Sequence, residues 1–576
     1  MNARKNMIII KGEIKTPDIK ICQYNPNTQK TDVVFNNGKK YSYSYSNVEW
    51  LKEPKVLNPN LYNISREGRK FYDIEAIYEF ENNNDFYWHI CFDDGSERDY
   101  RKSDLTIVKS CLHHHAADVF QYIKQIANLS DLKNEETGEK LLARKFEKIS
   151  FVGDDVALAK YLEPSTLKIN STKHEYIPLF PFGCNNSQYK AVKSAMENQI
   201  SVIQGPPGTG KTQTILNIIA NILMQGKTVQ IVSNNNSAIE NVYEKLSSSK
   251  YNLGFLVAFL GNSRNKHIFI EQQEMNYPDF SSWLTERDPS VLQNEVSEKS
   301  VQLKEVFNKQ ERLAILRQEY SQLMTELEYF KQYVEESNVD VENLKFRKKL
   351  NSKQWMGMWQ DCQMISDKKQ KISILYKMKA FFKYGFSDLS FYQQDLAKII
   401  TTLQMMYYQT KKIELNKETK EIEEYLSKTN KTLLDDLCSQ SMIILKDKLA
   451  KSYENKKKRK KFSEENLWKE PYDVLAEYPI ILSTTFSSRN SLNTNVVYDY
   501  LIMDEASQVD IATGALALSC AKNVVIVGDT KQLPNVVTED IKEKAKAIYD
   551  SFSINDGYQF TKSFLQSILE VIPKVP

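Results

Sequence analysis

No apolar run in the 576 residues approaches the length of a membrane span, and Met1-Asn2-Ala3-Arg4-Lys5 is not followed by the apolar core of a signal peptide. Membrane-spanning and exported classes are therefore excluded, and a cytoplasmic location is expected. Cysteine is scarce: Cys22, Cys91, Cys111, Cys184, Cys362, Cys438 and Cys520 are scattered and form no C-x-x-C pair. That argues against a zinc ribbon or a disulfide framework and for a reducing compartment. An excess of one charge is missing too, since 77 Lys and Arg face 74 Asp and Glu, for a net charge of +3. Any nucleic-acid contact must come from local basic patches, not from a global field. What remains, 41% hydrophobic and 26% charged residues, is the composition of a soluble globular protein. The chain is too long for one core, so roughly two to four domains are expected.

The chain is organised around Gly205-Pro206-Pro207-Gly208-Thr209-Gly210-Lys211-Thr212, which fits G-x-x-x-x-G-K-[ST], the phosphate-cradling loop of NTPases. Ile200-Ser201-Val202-Ile203 before it reads as a buried strand. Ile215, Ile218, Ile219, Ile222 and Leu223 after it form the stripe of a helix packed on a sheet. This context lets backbone N–H groups close around phosphate oxygens while the helix N-terminus adds partial positive charge. Lys211 then reaches the β- and γ-phosphates and the Thr212 hydroxyl ligates magnesium, so ATP and Mg2+ are the expected cofactors. Upstream, Gln188 in Asn185-Asn186-Ser187-Gln188-Tyr189 carries a donor and an acceptor that together match an adenine edge. Read alone it is an ordinary surface glutamine.

Residues 1–110 alternate, are rich in tyrosine, and contain the hairpin turns Asn36-Asn37-Gly38 and Asp93-Asp94-Gly95. Phe35, Gly38, Tyr43, Ser46 and Val48 recur as Phe92, Gly95, Tyr100, Ser103 and Leu105, an internal repeat with an offset of 57. Each copy reads as strand, tight turn, strand and a shorter strand, which predicts two small SH3- or Tudor-like barrels. Their tyrosines either fill the cores or bind a peptide or nucleic acid. His113-His114-His115 begins a helix running to Ile126, where three consecutive imidazoles point about 100° apart and cannot converge on one metal. The remainder of 111–180 reads as a mixed connector.

Beyond the loop helix, Thr228 to Val232 is a second strand ending in Ser233-Asn234-Asn235-Asn236-Ser237, with a helix from Ala238 to Leu246. Ligands of open α/β sheets lie outside the carboxyl ends of strands. Asn235, Asn236 and Ser237 thus either donate to a phosphodiester or cap the helix in the ordinary way. Residues 254–470 are expected to interrupt the α/β pattern with an insertion. Leu292, Val296, Leu303, Val306, Leu313, Leu316, Tyr320, Leu323, Leu327, Phe330 and Val334 step by three and four along much of it, as in a coiled-coil arm. Leu396, Ile399, Leu403, Met406 and Ile413 mark a return helix, and Trp355, Trp359, Phe381, Phe382 and Tyr384 a small tip subdomain. Lys456-Lys457-Lys458-Arg459-Lys460-Lys461 ends the insertion, as a phosphate-tracking run or as a solvated helix end.

The α/β pattern then resumes. Pro479-Ile480-Ile481-Leu482 ends in Ser483-Thr484-Thr485, Val496 to Met503 ends in Asp504-Glu505-Ala506-Ser507, and Asn523 to Val527 ends in Gly528-Asp529-Thr530-Lys531-Gln532-Leu533-Pro534. Two adjacent acids at a strand end suit hydrolysis: Asp504 holds the magnesium shell, and Glu505 orients and deprotonates water. Gln532, uncharged and on a neighbouring strand end, can sense a γ-phosphate, and Asp529 joins the nucleotide-binding set.

These segments resemble the first motor domain of a superfamily 1 helicase, in the branch that includes the nonsense-mediated-decay helicase and many bacterial relatives. The resemblance rests on Asn186 to Val192, Gly205 to Thr212, Asn236 to Val242, Asp504 to Ser507 and Gly528 to Pro534, and covers about 180–250 and 475–576. It implies a RecA-like fold in which Gln188 recognises adenine, Lys211 and Thr212 bind phosphate and magnesium, and Asp504 and Glu505 carry hydrolysis. It also implies that Gln532 couples nucleotide state to movement and that Asn236 and Thr484 contact a single-stranded DNA or RNA backbone, with 5′-to-3′ travel. Such helicases need a second RecA-like domain with transition-state arginines, and none is recognisable before Pro576. The chain is accordingly expected to be a fragment or half of a split motor, which binds ATP but hydrolyses it weakly. Two other classes compete: an ATP-gated coiled-coil ATPase that tethers DNA through a dimerising arm, and an ATP-switched module that recruits a protein partner.

Overall fold

The computed structural model describes residues 1–576 except 83–84, 131–137, 168–175, 337–348, 385–389, 455, 457, 533–536 and 574, and except the side chains of 430 and 431. Lys457 of the basic run, and Leu533 and Pro534 of the last motif, lie outside the described residues. The chain divides into two compact units: Met1–Pro178 with Lys190–Leu284 and Asp447–Pro576, and Leu179–Tyr189 with Thr285–Lys446.

The first unit is built on a six-stranded sheet of β1 (Ile200–Gln204), β2 (Val229–Ser233), β3 (Val257–Phe259), β4 (Ile480–Thr484), β5 (Tyr498–Met503) and β6 (Ala521–Gly528). The order is β1-β6-β5-β2-β4-β3 and every pairing is parallel. Parallel strands covered on both faces read as continuous apolar runs. Ile480, Ile481 and Leu482, like Leu501, Ile502 and Met503, are accordingly all buried. Helices α1 (Lys211–Met224) and α2 (Asn236–Ser247) follow β1 and β2. The edge strand β3 lies inside the stretch expected to be insertion, so that boundary moves C-terminal. Its three residues pair with Ile480, Ile481 and Leu482. Three residues are too short for a periodicity to show.

The expected connector is also corrected. Its helices His114–Ile126, Leu141–Glu147 and Ala157–Leu162 bury Phe120, Tyr122, Phe146, Leu158 and Tyr161 in the same core as Leu516, Leu518, Phe564 and Ile568. The Tyr161 hydroxyl lies 2.6 Å from Ser567 Oγ, and the Tyr558 hydroxyl donates to the Tyr161 carbonyl at 2.5 Å.

The N-terminal repeat is visible in the backbone. In one copy strand Lys30–Phe35 turns into Lys40–Ser44; in the other Asp85–Phe92 turns into Glu97–Arg101. Phe35 N–H donates to the Lys39 carbonyl, and Phe92 N–H to the Ser96 carbonyl, both at 2.9 Å. Gly38 and Gly95 sit at φ +82° and +81°, the left-handed conformation this turn requires of its glycine. Each copy has its own core: Ile8, Ile10, Ile19, Val33 and Val48 in one, Ile64, Ile77, Trp88, Ile90 and Tyr100 in the other. Met7, Ile9, Phe80 and Tyr87 form a third cluster. Tyr100 is buried and Tyr43 packs on its core, whereas Tyr24, Tyr41 and Tyr45 are exposed.

In the second unit, helices Pro289–Glu336 and Leu396–Tyr453 run antiparallel over the described part of the arm. Leu313, Leu316, Leu323, Leu327 and Phe330 pack on Met405, Tyr408, Leu415 and Ile422. Arg312 grips Glu418 through two hydrogen bonds, at 2.8 and 3.1 Å. Ile413 is not in this seam: it is 67% exposed, and Leu415 takes the inward place. The tip core contains Trp355 and Tyr384, with Trp359 against it, but Phe381 and Phe382 point to solvent, since Tyr376, Ala380 and Tyr384 take the inner face of their helix. The basic run at the end of the insertion belongs to the first unit. There Lys456 pairs with Glu477 at 2.6 Å, Lys460 pairs with Glu470 and Asp473, and Arg459 is buried. Those three residues serve the fold and are not free to track a phosphate backbone.

Lys145 Nζ, also in the first unit, donates to the Phe486 carbonyl at 2.6 Å and lies 3.6 Å from the centre of the Phe486 ring. Burial, helped by Lys266 and Lys148, lowers its pKa from 10.5 to about 8. The folded state therefore gives up this proton more readily than the unfolded chain. Its stability is penalised below pH about 8 and gains as pH rises from there towards 10.5. Lys145→Met should flatten that part of the curve. Denaturant melts of both proteins between pH 7 and pH 10 measure it, and unchanged curvature in the variant would contradict the assignment.

Candidate nucleotide site

Because all six strands are parallel, their carboxyl ends share one edge of the sheet. That edge carries the loop Gly205–Gly210 after β1, Asn235, Asn236 and Ser237 after β2, Thr484 at the end of β4, Asp504 and Glu505 after β5, and Asp529 and Gln532 after β6. The order places β6 between β1 and β5, so the Gln532 segment leaves the sheet between the glycine loop and the acid pair. Gly205 N–H donates to the Gly528 carbonyl at 3.1 Å, and the Thr530 hydroxyl donates to Gln204 Oε1 at 3.2 Å. Neither Gln204 nor Thr530 is singled out by sequence reasoning, because a lone polar residue at a strand end has no periodic signal.

The loop has the shape of a phosphate cradle. Gly208 and Gly210 stand at φ +82° and +83°, where side chains are strained, and Gly210 caps α1. A methyl group on Gly205 would lie 2.7 Å from Thr209 Oγ1, whose hydroxyl donates to the Pro206 carbonyl at 2.8 Å. Pro206, Pro207, Gly208 and Thr209 are exposed, while Lys211 and Thr212 at the start of α1 are half-buried. An exposed turn whose Gly208, Gly210 and Lys211 N–H groups lead into a helix N-terminus suits a polyphosphate.

Asp504 is buried, its backbone N–H donates to the Val232 carbonyl at 2.8 Å, and its Oδ1 accepts the Glu505 N–H at 2.9 Å. Burial raises its pKa, while the Glu505 N–H and the charge of Lys211 pull it back. Glu505 is raised as well, by burial first and the Asp504 charge second, against Lys211 and the Asn235 side chain. Its Oε2 is buried without a hydrogen-bond partner, and its backbone is left-handed at φ +56°. Strain of this kind costs about 1–3 kcal/mol and gathers at functional sites. Gly528 is the close neighbour of this turn, since a side chain there would meet Ser507 N at 3.2 Å and Ala506 N at 3.4 Å. An unpartnered buried carboxylate oxygen beside a second carboxylate and a lysine fits a hydrated magnesium ion and a phosphate. Thr212 and Asp504 could hold such an ion.

The other expected residues are engaged as follows. Asp529 Oδ1 accepts the Lys531 N–H at 2.9 Å, so one oxygen shapes its own turn, and Gln532 N–H donates to the Asp529 carbonyl at 3.1 Å. Asn235 caps α2, its Oδ1 accepting the Ser237 N–H at 3.0 Å and the Ser237 hydroxyl at 2.6 Å. Asn236 and Ser237 are exposed, and Thr484 Oγ1 accepts the Ser487 N–H at 3.2 Å. Gln188, in the second unit, is buried on the helix Asn186–Glu197, where its Oε1 accepts the Asn185 N–H at 2.9 Å. Its carbonyl oxygen is thus engaged within the chain.

A parallel sheet that delivers a glycine loop to a helix N-terminus, and an acid pair one strand beyond its neighbour, defines a P-loop NTPase of RecA-like architecture. The family described as "AAA domain" matches residues 183–540, and the chain belongs to it. Its motor domain is of the superfamily 1, nonsense-mediated-decay-helicase-like kind. The chain is 28% identical over 165 residues to a "Regulator of nonsense transcripts 1 homolog" of Neurospora crassa, covering 27% of this chain and 14% of the relative. It is 44% identical over 66 residues to the "DNA polymerase alpha-associated DNA helicase A" of Schizosaccharomyces pombe, 11% of this chain and 10% of that one. A further 44% over 64 residues matches an uncharacterised ATP-dependent helicase of Mycoplasma genitalium, 11% and 6% of the two chains. The matches thus span 6% to 14% of those relatives' lengths. No described helix is long and apolar enough to cross a membrane.

The raised pKa of Asp504 means that its charge costs folding stability at neutral pH. A carboxyl with a raised folded pKa is penalised above that pKa and carries no penalty once both states are protonated. Asp504→Asn should therefore melt above the parent at pH 7 and converge with it in acid. Thermal melts at the two pH values decide it, and a lower melting temperature at pH 7 would show that Asp504 is stabilised, not strained, by its surroundings.

Proposed function

We propose that this chain is the ATP-binding motor part of an ATP-dependent helicase or translocase that acts on single-stranded nucleic acid. The observation that carries the reading is geometric: the parallel ladders β1–β6 and β6–β5 bring the glycine loop with Lys211, the Gln532 segment and the acid pair to one edge of the sheet on successive strands. Magnesium ATP, when bound, supplies the γ-phosphoryl group and a dication that neutralises its oxygens. Backbone N–H groups from Gly208 to Lys211 orient the phosphates, and Thr212 and Asp504 hold the ion. Glu505, with its proton affinity raised by burial and by Asp504, accepts a proton from the attacking water at Oε2. Gln532, carried out of the sheet next to the loop, reports the state of the γ-phosphate. Asn236, Ser237 and Thr484, on the far side of the acid pair, contact the sugar-phosphate backbone. The relatives' names include a DNA helicase and a regulator of nonsense transcripts, in keeping with work on DNA or RNA. The N-terminal repeat acts as a pair of SH3- or Tudor-like recruiting modules, with Tyr24, Tyr41 and Tyr45 as the exposed aromatic face.

Lys211→Ala should weaken the binding of a fluorescent ATP analogue at least about tenfold, the loss of one charge-assisted phosphate contact. Glu505→Gln should bind within about twofold of the parent and lose about 10²–10⁴-fold in turnover. Retained turnover in Glu505→Gln removes that residue from the chemistry, and unchanged binding in Lys211→Ala removes the site itself. Gln532→Ala should keep nucleotide affinity while its ATPase no longer responds to single-stranded nucleic acid. A full response in that variant assigns the coupling elsewhere.

A further inference from the structure

Four side chains of the second N-terminal repeat gather on one face of one hairpin. His89 and Cys91 alternate on strand Asp85–Phe92, and the register sets His89 opposite Asp99 and Cys91 opposite Glu97. His89 Nδ1 lies 2.7 Å from Asp99 Oδ1, which turns Nε2 towards Glu97 Oε2, 3.4 Å away. A ligand atom from each of His89, Cys91 and Glu97 lies within 4.8 Å of the others. His89 is 2% exposed and Cys91 1%, yet His89 Nε2 and Asp99 Oδ2 have no hydrogen-bond partner. Unsatisfied groups buried this deeply each cost about 1–3 kcal/mol unless something completes them. Arg4 Nε donates to Glu97 Oε1 at 3.0 Å, holding that carboxylate in place.

We propose that His89, Cys91 and Glu97 bind one zinc-class divalent cation, with Asp99 as the positioning residue that fixes the His89 tautomer. One imidazole nitrogen, one thiolate and one carboxylate form a donor set for a borderline-soft, four-coordinate ion and leave a fourth position for water. A metal-bound imidazole ordinarily donates its other N–H to a carboxylate, the part Asp99 plays here. On binding, the Cys91 thiol releases its proton to solvent and the sulfur takes the ion as thiolate. Glu97 turns Oε2 to the ion while Arg4 keeps Oε1. The dication and Arg4 offset the negative charges of Cys91, Glu97 and Asp99. Tetrahedral bonds of about 2.0–2.3 Å put donor atoms about 3.3–3.8 Å apart, which small side-chain rotations reach from the observed spacing.

The first repeat supplies the control within the molecule. At the same offset of 57, His89, Cys91, Glu97 and Asp99 correspond to Asp32, Val34, Lys40 and Ser42, paired in the same register. That copy makes the same hairpin with a hydrogen bond between the Ser42 hydroxyl and Asp32. The fold therefore does not demand the His-Cys-Glu-Asp set.

The test uses the full chain, stripped with chelator and reloaded with cobalt(II) or zinc(II) in the absence of nucleotide. Elemental analysis should find about one zinc per chain after gel filtration, since three protein ligands hold the ion while water fills the fourth position. Cobalt should give the visible bands of a tetrahedral ion together with a near-ultraviolet thiolate-to-cobalt band. Cys91→Ser should lose the thiolate band, whereas Cys22→Ser keeps it. Asp99→Asn should keep the band but weaken affinity about 10–100-fold, the usual effect of removing a carboxylate behind a metal-bound histidine. The Asp99 variant also guards against the possibility that Cys91→Ser fails to fold. A protein that retains no zinc, a thiolate band that survives in Cys91→Ser, or an affinity unmoved in Asp99→Asn would overturn the assignment.

Discussion

The pairing of Ile200–Gln204 with Ala521–Gly528 is the constraint on which the rest of the motor depends. Its parallel register sets Gln204 level with Gly528, so the glycine loop and the Gln532 segment leave the sheet side by side. One strand further, Met503 is level with Ile526, which brings the acid pair to the same height. A slip in either ladder would set the glycine loop, the Gln532 segment and the acid pair at different heights and would force the valines and isoleucines of β6, buried on both faces, to repack. The geometry of the nucleotide site is thus held by hydrophobic burial some distance from any phosphate. Side-chain hydrogen bonds at the edge, such as Thr530 to Gln204, only refine it.

At that edge the protein accepts a cost. Asp504 and Glu505 are neighbouring acids, both with raised proton affinity, and Glu505 also has a left-handed backbone. Lys211 offsets part of the repulsion. The remainder is what a dication would relieve, so metal binding and the relief of repulsion coincide. The same desolvation that destabilises the empty fold raises the proton affinity of Glu505, the direction that suits the proposed general base. Stability and chemistry draw on one interaction in opposite directions.

How much of this was legible in the sequence follows from the kind of signal each element has. Gly205–Thr212, the loop helix and the acid pair were readable because strand, turn and helix constrain several residues at once. The long arm was readable because its seam repeats many times. Strand β3 was not, since three residues carry no period, and neither was the packing of helices His114–Ile126 and Leu141–Glu147, because only the fold reveals their partner. Phe381, Phe382 and Ile413 were misassigned for a related reason: composition marks a residue as apolar but does not say which face of its helix the core takes. The proposed nucleic-acid contacts are the least legible, since Asn235 also caps its helix in the ordinary way. The His89 cluster escaped because its members are read across a hairpin, two from each strand, and only the register brings them together.

The basic run gives the clearest case of charge serving the fold. The chain leaves the first unit after Leu284 and re-enters it at Asp447, so β3 and β4 are neighbours in space but separated by the whole excursion. Closing so long a loop costs entropy, though only logarithmically in its length. Arg459 sits at the seam. Its guanidinium donates to the Phe255 carbonyl just before β3 at 2.8 Å and to the Glu477 carbonyl just before β4 at 3.4 Å. It lies 4.4 Å from the Tyr478 ring centre and pairs with the Glu477 carboxylate at 3.8 Å. A buried guanidinium without partners would be very costly, and this one binds both lead-ins at once. Lysine lacks the planar fork needed to reach two carbonyls and an aromatic face together. That is why the single arginine in a run of lysines is the residue drawn inside, and why the sheet can carry an insertion of this length without losing its edge strand.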